Sequence, residues 1–312
     1  MKITIFGTGA VGGYFGGRLA QAGHDVTFIA RGAHLQAIQS EGLQVNSIKG
    51  DFSICPAQAT DRPESIGTVD LILCGVKSWQ VVEIGDQLNP LVGPDTTIIT
   101  LQNGVESHTI LAESIGATYV LPGMCQMISL VEGPGIISHK GIDPYLSIGE
   151  VDGSSSQRLA QIYQVFNKVE GVTINISTDI LKELWLKFMI IAPWSGLGAV
   201  TRAPVGVFRS LPETRELLQQ SIQEVYAVGK AHGVDLPENA VNKTLEFIDN
   251  VPAAGTASMQ RDVMAGRPSE LHEQCGAVVR LGEEKDVKTP VNRYIYHSLL
   301  PLEHSARGTI TF

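Results

Sequence analysis

At 312 residues, 43% hydrophobic and 18% charged, the chain has the composition of a globular protein with one large or two modest cores. Its formal net charge of −9 argues against a nucleic-acid or anionic-membrane partner, because an acidic body repels phosphate. A small anionic ligand remains compatible with a locally positive pocket.

The first residues, "KITIF", already read as a strand, so no secretory leader is expected. A glycine burst follows, then a helix near residues 10–22 and a second strand, "DVTFIA". "LQVNSIKGDFSIC" alternates about a Lys-Gly-Asp turn and predicts a hairpin at a sheet edge. "VDLILCGVK", "TTIITLQNG" and "TYVLPGMCQM" are short β-branched runs, with helices predicted near 79–88 and 104–115 between them. Residues 125–150 hold further extended segments, expected to be antiparallel. "GSSSQRLAQIYQVFNKV" predicts a helix with a capping box from Ser154 to Gln157, and "GVTINIS" a last strand. Beyond it helical periodicity dominates, with starts at "LPETRELL", "LPENAVNKTLEF" and "TPVNRYIYHSLL". The pattern is α/β: a Rossmann-type doubly wound sheet over 1–177, then an all-helical domain over 178–312. The longest apolar run, Phe188 to Val200, is shorter than the ~20 residues of a membrane span. Cys55, Cys74, Cys125 and Cys275 form no CxxC pair and read as reduced core residues of a cytoplasmic chain. No His spacing suits a metal.

"GTGAVG" fits G-x-G-x-x-G at Gly7, Gly9 and Gly12, after a strand and at a helix start. Gly7 allows the tight turn, Gly9 the approach of a pyrophosphate, and Gly12 close packing of helix on strand. The helix N-terminus then offers free N–H groups and a positive dipole end to the phosphates, so Gly7, Thr8, Gly9, Ala10, Val11 and Gly12 are the expected cradle. The second strand ends in Arg31, where NAD-preferring folds usually carry an acid. A guanidinium there suits a 2′-phosphate, so the expected cofactor is NADPH. An ordinary surface arginine is the competing reading.

Beyond these glycines, "CGVKSWQ", "LQNGVE", "ELWLKF", "ASMQRDV" and "GRPSEL" occur in the order and spacing of the ketopantoate reductase family, which this chain resembles over nearly its whole length. The resemblance implies an NADPH-dependent reductase of a small 2-oxo acid, with a homodimer formed through the helical domain. It implies that Lys187 is the general acid, that Asn103 links the nicotinamide ribose to that lysine, and that Glu270 bonds the substrate hydroxyl. It adds Lys77 near cofactor and substrate, Ser258 on the substrate carboxylate, and Ser195 at a substrate-facing place. Read without the resemblance, Lys187 in its apolar helix is either a buried acid of depressed pKa or a snorkelling lysine. Asn103 is also a turn or cap residue, Lys77 a surface charge, Ser258 a first-turn residue and Glu270 a dipole partner. Arg261 and Arg267 are candidate carboxylate anchors.

The chain departs from the family pattern at Ile191 and Ser195, each where Asn is usual, and at His272 and Cys275, where Asp and Asn are usual. Replacing hydrogen-bonding residues changes which ligand fits. Two other functions therefore stand beside ketopantoate reduction: reduction of another 2-oxo acid or an imine, and a non-catalytic NADP-binding sensor.

Overall fold

The computed structural model describes residues 1–312. The alternation of β-branched strands and helices produces β1 (Lys2–Phe6), α1 (Ala10–Gln21), β2 (Asp25–Ile29), α2 (Gly32–Glu41), the hairpin β3 (Leu43–Ser47) and β4 (Phe52–Ile54), and β5 (Gln58–Thr60). These are followed by β6 (Leu71–Cys74), α3 (Gly85–Leu88), β7 (Thr97–Thr100) and α4 (Ser107–Ile115). The long strands β8 (Val120–Gly133) and β9 (Ile136–Ile148), then α5 (Gln157–Phe166) and β10 (Thr173–Ile176), complete the sheet. Its order is β4-β3-β9-β8-β7-β6-β1-β2-β5, with β10 beside β9. The run from β8 to β5 is parallel, and β8–β9 and β3–β4 are antiparallel. The expected edge hairpin and mixed sheet are both present.

Burial explains the strand sequences. Every residue of β6 and β7 is buried, so neither strand needs a polar face. Side chains alternate between two cores. Ile3, Ile5, Leu71, Leu73 and Ile99 pack with Tyr14 and Phe15 of α1 and Phe166 of α5. Phe6, Ile72, Cys74 and Ile98 pack with Leu88 of α3 and Leu111 of α4 on the other face.

Several local expectations are corrected. The 79–88 helix is a 3₁₀ segment, Ser78–Glu83, followed by the single turn α3. The helix expected over 104–115 begins only at Ser107, because Gly104 adopts φ +101°. Helix α5 is capped by Ser156, whose Oγ accepts the Leu159 N–H, and not from Ser154. Cys55 is exposed, unlike the buried Cys74, Cys125 and Cys275. The strand β5 lies outside the elements that the sequence predicts.

The chain divides into two compact units, one of Met1–Gln102 and Glu106–Ile180, the other of Asn103–Val105 and Leu181–Phe312. The second comprises α6 (Ile180–Thr201), α7 (Val205–Phe208), α8 (Pro212–Ala231), α9 (Ala240–Asn250), α10 (Ser258–Met264), α11 (Cys275–Glu284) and α12 (Pro290–Ala306). Helix α6 runs 22 residues through Pro193, longer than its apolar run suggests. By length and composition alone it could cross a membrane; most of it is buried in the fold. Trp185 of α6 packs edge-on against Phe188, and a Cβ on Gly229 of α8 would lie 2.8 Å from its ring. From α8, the Glu224 carboxylate accepts the Val291 and Asn292 N–H groups at 2.8 and 2.9 Å. It thereby caps the start of α12, where free N–H groups favour an anion.

Candidate active site

The sheet unit carries a candidate site made of backbone. Thr8 donates its N–H and its Oγ1–H to the Ile29 carbonyl, both at 2.9 Å, tying the glycine loop to the end of β2. Gly7 sits at φ +97°, and a Cβ there would lie 2.6 Å from the Val76 nitrogen. A Cβ on Gly12 would lie 2.3 Å from the Gly7 carbonyl oxygen. Both positions are closed to a side chain by main chain, which has nowhere to move. Gly9 is the opposite: a Cβ there would meet no protein atom within 4 Å. The α1 N-terminus has no side-chain cap, and Ala10 and Val11 are partly exposed beside it. An open face, absent side chain and uncapped helix start are what a pyrophosphate requires.

Two further residues flank this loop. Arg31 is exposed, extended, and the N-cap of α2, with its Nη2 donating to Gln87 Oε1 at 2.9 Å. Lys77 lies three residues beyond β6 and is exposed, so it does not itself end the strand. Its segment is fixed to the glycine loop, since a Cβ on Gly75 would fall 2.9 Å from the Gly7 oxygen. Gln102 was not anticipated. Its buried amide donates to the Cys74 and Val76 carbonyls at 2.8 and 3.0 Å, holding the β6 exit in shape.

The helical unit carries a cluster made of side chains. Glu270 is 4% exposed, and its Oε2 accepts the Asn103 Nδ2–H at 3.3 Å and the Gln274 Nε2–H at 3.2 Å. Two sequence-predicted residues, Asn103 and Glu270, are thus brought together across 167 positions. The turn that carries Glu270 is pinned along its length. Ser269 donates from its N–H and Oγ to Glu303 of α12, and Arg307 holds both Glu303 and the Ser269 carbonyl. His272 Nδ1 meets the Tyr296 hydroxyl at 2.7 Å. Cys275 is fully buried, its thiol pushed up to about 12 by burial and directed at the Ala192 carbonyl. His272 and Cys275, the two departures on this turn, therefore serve as its anchors. Burial holds the His272 imidazole below its ordinary value. Glu273 has one buried, unpaired oxygen, and burial raises its carboxyl to about 7, with the Glu270 and Glu303 charges pushing the same way.

Lys187 is the eighth residue of α6 and is half-buried, not sealed in the apolar interior. Ile191, one turn on, is also half-buried, while Ser195 is 1% exposed. Ser258 opens α10, half-buried, as a first-turn residue. Arg261 donates to Thr256, and Arg267 pairs with Asp262 at 2.8 Å. Both arginines have structural employment.

Residues 3–153 match the family model described as ketopantoate reductase PanE/ApbA, and residues 179–303 its C-terminal counterpart. A 2-dehydropantoate 2-reductase of Mesorhizobium japonicum is 31% identical over 93% of this chain and 94% of its own length. The solved 2-dehydropantoate 2-reductase of Geobacter metallireducens is 30% identical, with a TM-score of 0.90 over 96% of this chain and 99% of its own. A D-mandelate dehydrogenase solved with NADH and anilino(oxo)acetate shares the fold, with 22% identity and a TM-score of 0.87 over 98% and 99% of the two chains.

Proposed function

This chain belongs to the ketopantoate reductase family, and on that footing we propose that it reduces a 2-oxo acid, ketopantoate in the first instance, to the 2-hydroxy acid with NADPH. The observation that carries the reading is the buried Glu270 carboxylate, held on one oxygen by two amide donors, one of them Asn103. A carboxylate so desolvated and so held is suited to accept a hydrogen bond from a substrate hydroxyl.

The residues present fit the cofactor. Gly7, Thr8, Gly9, Ala10, Val11 and Gly12 would cradle its pyrophosphate, the clearance at Gly9 and the uncapped helix start being the supporting features. Arg31, exposed two residues beyond the end of β2, would pair with the 2′-phosphate and so select NADPH over NADH. Lys77 would lie along the nicotinamide side. When bound, the reduced nicotinamide supplies the hydride.

The chain's own residues do the rest. Lys187 donates a proton to the substrate oxygen as negative charge develops there. Asn103 orients that lysine, and Glu270 fixes the substrate through a polar substituent. Ser258 and Ser195 complete the substrate contacts. The assembly is a cytoplasmic homodimer in this reading. Lys187→Ala should lower kcat about 10²–10⁴-fold with NADPH affinity retained. NADPH oxidation with ketopantoate, followed alongside a fluorescence titration, tests this; unchanged turnover removes Lys187 from the role.

A second reading has its own observation. Ile191 stands half-exposed on the Lys187 helix, one turn on, and His272 and Cys275 are committed to Tyr296 and to the Ala192 carbonyl. Fewer polar side chains are left for ketopantoate, which favours a more apolar 2-oxo acid or an imine. A panel of 2-oxo acids compared by kcat/KM separates the two readings.

A further inference from the structure

The turn between α10 and α11 closes through the Gln274 N–H on the Glu270 carbonyl at 2.9 Å. That i→i+4 closure turns both side chains the same way, and the Gln274 amide reaches the Glu270 carboxylate. Gln274 is 1% exposed, so it is walled off from solvent. Its Oε1 is buried with no hydrogen-bond partner. An orphaned buried carbonyl is unfavourable, and Met would occupy nearly the same volume without one. The amide is therefore hard to explain as filler. Its Nε2–H has a definite use: together with Asn103 it fixes one oxygen of Glu270 and so the plane of the carboxylate.

We infer that Gln274 is a positioning residue, acting on substrate only through Glu270, which it holds by the Nε2–H···Oε2 bond in concert with Asn103. The inference rests on the reductase reading for its kinetic meaning. It assigns specificity for the substrate's polar substituent to three residues where the sequence pattern suggests two. The surroundings support a fixed carboxylate. Ser269 is clamped by Glu303, His272 by Tyr296, and the Glu273 carbonyl backs onto Gly104, 3.0 Å from where a Cβ would sit. With the turn's backbone so held, the remaining freedom lies in the Glu270 side chain, which the Gln274 and Asn103 amides restrict at Oε2.

The test is a double-mutant cycle of Gln274→Met and Glu270→Ala, read both by kinetics and by unfolding. Gln274→Met should lower kcat/KM about tenfold, as expected for one lost hydrogen bond to a charged group. In the Glu270→Ala background the same change should alter kcat/KM less than twofold. Equal losses in both backgrounds, or none in the wild type, overturn the proposal. The unfolding cycle does not depend on activity: a coupling indistinguishable from zero overturns it even in a competent reductase. A wild type that turns over no 2-oxo acid overturns the reductase reading and the kinetic role together, while a non-zero unfolding coupling still supports the hold on Glu270.

Discussion

The glycine loop of the sheet unit and the Glu270 turn of the helical unit are built by opposite means. The loop works by leaving things out: it has no Cβ at Gly9, no cap on α1, and main chain packed on main chain at Gly7 and Gly12. The turn works by filling in, with buried Gln274 donating to Glu270 and buried Ser269 to Glu303. Backbone sites tolerate almost no change at their contact points and are indifferent to the side chains around them. Side-chain sites can be retuned one residue at a time, as His272 and Cys275 illustrate, but each change must keep the buried groups partnered.

The sharpest way to break this contrast lies within the loop. Gly12→Ala should prevent folding or sharply lower Tm, because its Cβ meets the Gly7 oxygen at 2.3 Å. The ~1 kcal/mol helix preference of Ala over Gly is too small to offset that overlap. Gly9→Ala should leave Tm unchanged and weaken NADPH roughly tenfold or more, as contacts to a charged group are lost. Paired melting curves and fluorescence titrations check both; a Gly9→Ala protein that binds normally would remove the pyrophosphate from this loop. Next in size, Arg31→Ala should weaken NADPH about tenfold and leave NADH unaffected, measured as a ratio of dissociation constants.

The smallest effect sharpens the other side. The Glu273 carboxyl keeps its proton to about pH 7 in the folded chain and loses it near 4.5 when unfolded. Folding therefore takes up a proton between those values. The stability Glu273 contributes is complete below pH 4.5 and is lost as pH rises to about 7. Tm measured from pH 4.5 to 7.5 should fall less in Glu273→Gln than in the wild type; parallel curves would show that folding leaves the ionisation of this carboxyl unchanged.

The same contrast explains what could be read in advance. The strands β1, β2, β6 and β7, the edge hairpin and the glycine spacing were legible because buried parallel strands and φ-positive turns demand particular residue types wherever they occur. Asn103 and Glu270 came only with the resemblance, since nothing local links residues 167 apart. Gln102 and Gln274 leave no trace in the sequence, because a lone glutamine follows no period and its type is usually exposed. The three-residue β5 was too short to carry a pattern, and the exposed Cys55 shows that a cysteine's type does not settle its burial.

The tripeptide Asn103–Val105 has a practical consequence for anyone dissecting or recombining this molecule. The chain passes between its two units at 102–103, at 105–106 and again at 180–181. A fragment cut at the last point alone would lack the asparagine that Glu270 leans on. Grafts between relatives that exchange only the carboxy-terminal half would then pair one parent's acid with the other's amide. Transplanting the three residues along with the helices keeps that partnership of common descent, and it is the junction a hybrid library should respect.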